Sequence, residues 1–388
     1  MVTLRRPVEG LTTGHRLECP APRSTTTSAP PPPTGPGPVP DLPIRIDQGH
    51  VMLTEIPLGP HGDREHIRGA LRDGSFLVRS TVPESLLDEA HGFLLAFFAL
   101  PSEAKADCRV PGGNGQSGYA PPQVATAGKS TTADCGELFR WGSTLPAGHP
   151  LRVRFPARYP APYFPDHLVP GIGSALRELH GRMLRFQHDV ARTVGGALGA
   201  HPDYFSEILE DGPVVNRAIW HPPSDPVPPA GRARAAEYRD PDLITAQPRA
   251  TAGGLQVLID HEWTAVDVPE GYAAVNVGTV LDRLTNGLAR AAVQRVVAVP
   301  GQREGRLSIA QFCHPAPWAT LAPLPVPGRV ERPHRFPALT AEELFQRSVY
   351  RMSRFDSRYQ PLEPPAPFGV AATAGYARRG PRRPGDRI

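Results

Sequence analysis

Tyr238 and Asp240 stand two residues apart in a stretch that reads as strand, and side chains at i and i+2 of a strand point the same way. The pair therefore presents a phenol and a carboxylate to one side of the chain. Arg217, His221, Gln294, Arg306 and Ser308 add further polar groups in strand-like surroundings. Gathered around one pocket, Asp240 or His221 would take a proton and Tyr238 would give one. Gln294 and Arg306 would donate hydrogen bonds to a substrate oxygen. Such a set suits reactions without electron transfer: pericyclic ring closure, isomerisation or dehydration. Orientation alone supplies several kcal/mol to such a step, and a donor aimed at a developing oxyanion adds about 3 kcal/mol.

Other possible chemistry has weaker support. His201-Pro202-Asp203 reads as a helix-to-strand connection, and Asp260-His261-Glu262 as a solvated hairpin tip. His261-Glu262 lacks the second histidine of a zinc-binding helix. Cys19, Cys108, Cys135 and Cys313 have no Cys-x-x-Cys spacing, which argues for reduced thiols rather than a zinc cage or a disulfide framework. The sequence has no Gly-x-Ser-x-Gly elbow, phosphate loop or dinucleotide fingerprint, so hydrolase, nucleotide and Rossmann readings have no motif to rest on.

The elements that must position these residues are mostly β. The chain has 388 residues, 40% of them hydrophobic, which is ample for a buried core. Residues 1–41 are rich in proline and read as a disordered arm. Helices are expected over Arg64 to Arg72, Pro83 to Leu100 and residues 171 to 200, the last ending near Gly195-Gly196. Short strands then recur: Val214 to Trp220, Leu243 to Ala246, Leu255 to Ile259, Ala273 to Val277, Val293 to Val299 and Leu307 to Phe312. That rhythm fits a sandwich or jelly roll. A capping box, Thr340 with Glu343, opens a final helix. The expected organisation is thus a helical and strand region over 42–210, a jelly-roll core over 211–335 and a helix within 336–360, followed by a disordered basic tail over 361–388. At the end of that tail Arg378, Arg379, Arg382, Arg383 and Arg387 against Asp386 give +4, equal to the formal charge of the whole chain, which argues against a nucleic-acid partner for the folded part. With no apolar run of membrane-spanning length and no signal-like start, the expected place is the cytoplasm, without membrane attachment.

Several motifs in order resemble one family. Tyr238-Arg239-Asp240 through Thr245, then Gly253-Gly254-Leu255-Gln256-Val257, is similar to the metal-site strand of isopenicillin N synthase-like 2-oxoglutarate/Fe(II) oxygenases. Val293-Gln294-Arg295-Val296-Val297 resembles their distal His-Arg-Val-Val, and Arg306-Leu307-Ser308 their Arg-x-Ser clamp for the distal carboxylate of 2-oxoglutarate. Arg217 through Pro223 resembles a strand that ends in Tyr-Pro, with His221 in the tyrosine's place. Phe98-Ala99-Leu100-Pro101 with Lys105, Gly118-Tyr119 and Glu137 resembles the amino-terminal region.

The resemblance implies an α+β fold with a mainly β core, a double-stranded β-helix flanked by helices. It also implies that the family's two metal-binding histidines are replaced here by Tyr238 and Gln294, leaving Asp240 as the one retained ligand position. A centre of that type needs two imidazoles and a carboxylate, so no metal and no cofactor are expected. Tyr238, Asp240, Gln294 and His221 are the candidate catalytic residues. Arg306, Ser308 and Arg217 are candidates for binding a small organic substrate or a co-substrate. The expected function is a non-redox step of specialised metabolism. The alternatives are an Fe(II)- and 2-oxoglutarate-dependent oxygenase with an atypical metal site, in which His221 could serve as a ligand, and a catalytically silent metabolite-binding protein.

Overall fold

In the computed structural model, residues 53–353 are described except 60–61, 111–115, 123–135, 144, 202, 224–230, 232, 325–332 and 334. The arm over 1–41, the tail over 361–388 and Pro202 lie outside the described residues.

Helix α1 (Arg64–Asp73) starts on the Asp63 carboxylate, which accepts from the Glu65 N–H, and stops at Gly74, whose φ of 87° suits a residue without Cβ. Strand β1 (Ser75–Arg79) follows directly, then α2 (Glu84–Phe98), which buries Leu87, Ala90, Leu94, Phe97 and Phe98 at helical spacing. Short pieces come next: α3 (Ser102–Ala106), β2 (Gly118–Ala120), β3 (Glu137–Gly142) and α4 (Pro150–Arg154).

The long α5 (Ile172–Leu198) runs through Gly195 and Gly196 instead of ending there. Its stop is Gly199, at a φ of 75°, so the doubled glycine lies inside the helix and the left-handed residue beyond it ends the element.

After α6 (Tyr204–Leu209) the chain is largely strand: β4 (Val214–His221), β5 (Ala233–Tyr238), β6 (Ile244–Pro248), β7 (Leu255–Ile259), β8 (Glu262–Ala265) and β9 (Tyr272–Val277). Helix α7 (Thr279–Leu284) interrupts before β10 (Gln294–Val297), β11 (Arg306–Cys313), β12 (Thr320–Leu321), β13 (Leu339–Thr340) and α8 (Ala341–Ser353). The expected hairpin tip is present between β7 and β8, where Asp260 and His261 both take positive φ. The capping box also forms: Glu343 Oε2 accepts from the Thr340 N–H, and Thr340 Oγ1 accepts from the Glu343 N–H.

Seven strands pair in the order β1-β9-β6-β11-β4-β3-β2 and four in the order β5-β10-β7-β8. Helix α5 covers one face of the larger sheet. Gln187 on α5 donates to the Ile244 and Gln311 carbonyls, and Trp141 on β3 donates to the Leu176 carbonyl of α5. Strand alternation turns the other residues of β3, β4, β6 and β11 away from that helix, toward the smaller sheet. Arg140, Arg217, Ile219, His221, Thr245, Arg306, Ser308 and Phe312 share this inner face by register.

Candidate functional site

The segment from Tyr238 to Thr245 is not one strand. Strand β5 ends at Tyr238, and the chain crosses from the smaller sheet to the larger before resuming as β6 at Ile244. Asp240 sits in that crossing, 2% exposed, its carbonyl accepting from the Thr279 N–H. The expectation that Tyr238 and Asp240 share a face as i and i+2 of one strand is therefore corrected. They reach the interior from two different local conformations.

Asp240 Oδ2 accepts from the Gln294 side-chain amide at 2.6 Å and from Thr245 Oγ1 at 2.8 Å. The other oxygen, Oδ1, is buried with no partner at hydrogen-bonding distance among the described residues. Gln294 is pinned from its other end: its Oε1 accepts from Gln247 Nε2 at 2.8 Å and from Asn276 Nδ2 at 2.9 Å. Asn276 Oδ1 in turn accepts from Ser75 Oγ at 2.7 Å. This network ties β10 of the smaller sheet to β6, β9 and β1 of the larger one. Burial raises the Asp240 pKa, opposed by the charge of Arg217 and by the polar side chains of Thr245, Asn276 and Gln294 beside the carboxylate.

Tyr238 is the cross-strand partner of Gln294 on β10. Its hydroxyl accepts from Arg217 Nη2 at 3.0 Å, and the Arg217 guanidinium lies over the Phe312 ring at 4.6 Å and the Tyr238 ring at 5.5 Å. Arg306 lies directly opposite His221 in register. It donates from Nη1 to Ser308 Oγ at 2.7 Å and from Nε to the Ala252 carbonyl at 3.1 Å. Burial lowers its pKa to about 10, so it is still cationic at neutral pH. Tyr238 and Arg234 both act on the charge of Arg306, which places them near it.

The structure thus brings all seven residues singled out in the sequence to the space between the sheets. Sequence reasoning missed Thr245, Gln247, Asn276, Asp242 and Arg140. A signal was present for two of them. Asn276 interrupts an apolar run, and Gln247 shares with Thr245 the two-residue period of a strand.

Asp242 is fully buried, and Thr245 Oγ1 lies 2.9 Å from its Oδ2 as well as 2.8 Å from Asp240 Oδ2. A hydroxyl has one hydrogen, so both contacts are met when a protonated Asp242 donates to Thr245 and Thr245 donates to Asp240. Burial and the neighbouring Asp240 raise the Asp242 pKa well above the usual carboxylate range, in agreement. The raised folded-state value means that Asp242 costs nothing below the unfolded pKa and costs stability as pH rises from there through the folded pKa. Each unit of displacement is worth about 1.4 kcal/mol. Asp242→Asn keeps a donor toward Thr245 and removes the titration. Its melting temperature is expected to match the wild type near pH 4 and to exceed it at pH 7 to 8. An equal difference at both pH values would show that Asp242 does not titrate between them.

The residues in hand fit 2-oxoglutarate better than they fit iron. A buried guanidinium fork beside a hydroxyl has the chemistry to take a carboxylate, and Arg306 with Ser308 has that arrangement. For iron, Asp240 Oδ1 is an open carboxylate oxygen, but the Gln294 amide oxygen is committed to two donors and the Tyr238 oxygen to Arg217. Among the described residues no group of three or more His, Cys, Asp or Glu is placed to hold a metal ion. As arranged, this donor set does not fit a centre of two imidazoles and a carboxylate.

Two packed antiparallel sheets enclosing a buried carboxylate and an Arg-Ser cradle define a class, and comparison with known proteins agrees with it. Residues 213–315 match the 2OG-Fe(II) oxygenase superfamily, and residues 64–162 match the family described as non-haem dioxygenase in morphine synthesis N-terminal. Gibberellin 20 oxidase 2 of Oryza sativa subsp. indica is 30% identical, over 72% of this chain and 68% of that protein. Validamycin A dioxygenase of Streptomyces hygroscopicus subsp. limoneus is 30% identical, over 68% of this chain and 74% of that protein. The crystal structure of JOX2 in complex with 2OG, Fe and JA superposes with a TM-score of 0.62 at 22% identity, covering 80% of this chain and 87% of that one. The chain belongs to the 2OG-Fe(II) oxygenase superfamily, and its fold is the double-stranded β-helix of that superfamily.

This kinship corrects the expectation of a protein without cofactors. The superfamily takes its name from 2-oxoglutarate and Fe(II), and JOX2 was crystallised with both. The expectation was drawn from Tyr238 and Gln294 alone. Those side chains bear on how a metal is held, whereas the cradle at Arg306 and Ser308 lies apart from them on β11.

Proposed function

We propose that this chain is a 2-oxoglutarate/Fe(II)-dependent oxygenase of specialised metabolism, with an atypical metal site, acting on a small organic molecule. The observation that carries the reading is the buried Arg306–Ser308 pair facing His221, inside the segment that matches the superfamily. Relatives that act as dioxygenases, among them validamycin A dioxygenase, support an enzyme of this class.

In this reading Arg306 and Ser308 take the distal carboxylate of 2-oxoglutarate, with His221 as the polar wall opposite. Iron, were it held here, would supply the redox chemistry, with the Asp240 carboxylate as the one retained ligand position. The chain's own contribution is positional. Ser75, Asn276, Gln247 and Gln294 fix Asp240 through four side-chain hydrogen bonds, so its carboxylate cannot rotate without breaking buried interactions. Tyr238 and Arg217 form a polar edge toward the organic substrate. Burial of Asp240, Gln294, His221, Arg306 and Ser308 keeps water from competing for these groups, while Arg217 and Tyr238 are half-buried.

Titration of the purified full-length protein with 2-oxoglutarate, followed by a succinate-release assay with Fe(II) and oxygen, tests the proposal. Saturable binding and Fe(II)-dependent succinate are expected. Absence of 2-oxoglutarate binding overturns the reading, and binding without any succinate reduces it to a metabolite-binding protein.

A further inference from the structure

The Arg306 guanidinium takes its orientation from a segment that has little packing of its own. Residues 249–254 carry the chain from β6 in the larger sheet to β7 in the smaller one. In this connection, Arg249-Ala250-Thr251-Ala252-Gly253-Gly254, every residue is half-buried or exposed, and all but the first are small. Hydrophobic burial therefore does little to fix it.

Its position matters because its hydrogen bonds close on Arg306 and on the residue after it. Arg306 Nε donates to the Ala252 carbonyl at 3.1 Å. Thr251 brackets Leu307: its N–H donates to the Leu307 carbonyl at 2.9 Å, and its Oγ1 accepts from the Leu307 N–H at 2.8 Å. With Nη1 held on Ser308 Oγ and Nε on Ala252, the plane of the guanidinium is set from two sides. A fork meets both oxygens of a carboxylate only when the two planes agree. Movement of the Ala252 carbonyl turns the fork.

The two ends of the connection are secured by different means. At Gly254 the backbone does it: the Gly254 carbonyl accepts from the Val297 N–H at 2.9 Å, and a φ of 118° with the Val297 carbonyl in the space of a Cβ suits only glycine. At the other end a side chain does it. Arg249 reaches α2, where its Nε donates to Glu84 Oε2 at 2.7 Å and its Nη2 donates to Asp88 Oδ1. The two acids stand one helical turn apart and so meet the guanidinium together. Glu84 is itself tied down, since its Oε1 accepts from the Gly271 N–H at 2.7 Å, just before β9. Ion pairs as accessible as these, with the Arg249 side chain 26% and that of Asp88 60% exposed, add little to global stability. The clamp acts on one segment.

We propose that Arg249 is a positioning residue for the co-substrate: held by Glu84 and Asp88, it fixes the 249–254 connection so that the Ala252 carbonyl aligns the Arg306 fork with the distal carboxylate of 2-oxoglutarate. Helix α2 thereby acts on co-substrate affinity through Arg306. This deepens the reading that Arg306 and Ser308 bind 2-oxoglutarate, and it rests on that reading.

The test uses the full-length protein and two probes, 2-oxoglutarate and 2-oxopentanoate, which has a methyl group in place of the distal carboxylate. Affinities are read by calorimetry. Arg249→Met is expected to weaken 2-oxoglutarate by about ten-fold and 2-oxopentanoate by no more than about two-fold. Arg249→Lys, which keeps the charge and loses the fork that spans two acids, should fall between the wild type and Arg249→Met. Glu84→Gln keeps an acceptor for the Gly271 N–H and loses the charge, so it should reproduce part of the loss from the other side of the contact. It decides the matter if Arg249→Met does not fold. In a protein that already carries Arg306→Ala, Arg249→Met should add less than about two-fold, because the residue acts through Arg306. Unchanged 2-oxoglutarate affinity in Arg249→Met overturns the inference. So does an equal loss for both probes, or an undiminished loss in the Arg306→Ala background, since either makes Arg249 a general support of the fold. A wild type that binds no 2-oxoglutarate ends the functional reading and this inference with it, whereas a wild type that binds it and an Arg249→Met protein that binds it equally well end the inference alone.

Discussion

Replacing Arg306 by alanine is expected to weaken 2-oxoglutarate binding by about 100- to 1,000-fold. The side chain offers a carboxylate two charge-assisted hydrogen bonds from a buried fork, each worth roughly 1.5 to 3 kcal/mol, and 1.4 kcal/mol is a factor of ten. The fold should survive the change. Arg234 lies close enough to lower the Arg306 pKa, so deleting one of two neighbouring buried cations relieves repulsion. Within the protein, Arg306 donates to the neutral Ser308 hydroxyl and to the Ala252 carbonyl, which belongs to a connection outside the strands, so no buried charge is stranded by its removal. Ser308→Ala removes a neutral partner and should cost only about ten-fold. Calorimetric titration of both variants reads the order. An Arg306→Ala protein that binds 2-oxoglutarate as the wild type does would remove the cradle from the proposed function.

The second large effect concerns the metal. Changing Tyr238 and Gln294 together to histidine should raise affinity for Fe(II), or for Mn(II) as an air-stable substitute, by about 100- to 10,000-fold. Changes to groups that merely support a ligand alter metal affinity 10- to 100-fold, and each imidazole added as a ligand should be worth at least as much. Tyr238 and Gln294 face each other across β5 and β10, and Gln294 already touches Asp240, so the three positions converge. The same change has a structural cost. Gln247 and Asn276 would lose the Gln294 oxygen they share, and each buried donor left unpaired costs about 1 to 3 kcal/mol. The doubly substituted protein without metal should therefore melt below the wild type, and metal in large excess over its dissociation constant should restore about 3 to 4 kcal/mol. Metal titration with a thermal readout separates the two contributions. If the wild type already binds Mn(II) as tightly, other donors hold its metal.

Much of this was legible in the residues. Arg306-Leu307-Ser308 sits in a strand wherever that strand pairs, and its two-residue period puts Arg306 and Ser308 on one side. The hairpin at Asp260 and His261, the Thr340–Glu343 cap and the apolar face of α2 likewise depend on neighbours within a few residues. Local spacing decides them. The Tyr238–Asp240 relation looked local too, but it is set by a crossing between two sheets, which only the pairing of β5 with β10 and of β6 with β9 and β11 creates.

The amino-acid sequence by itself determined the superfamily, the β-rich core, and the identity of the polar groups delivered to its interior, because residue type and strand period are properties of short segments. Tertiary structure alone decided what those groups touch. The Gln294 amide nitrogen is turned to Asp240 and its oxygen to Gln247 and Asn276, and Arg140 comes to stand against Arg217. Each of those pairings joins segments that are far apart along the chain or separated by a whole helix. Their register is fixed by the packing of the full barrel, where burial makes every unpaired polar atom costly and so selects one arrangement.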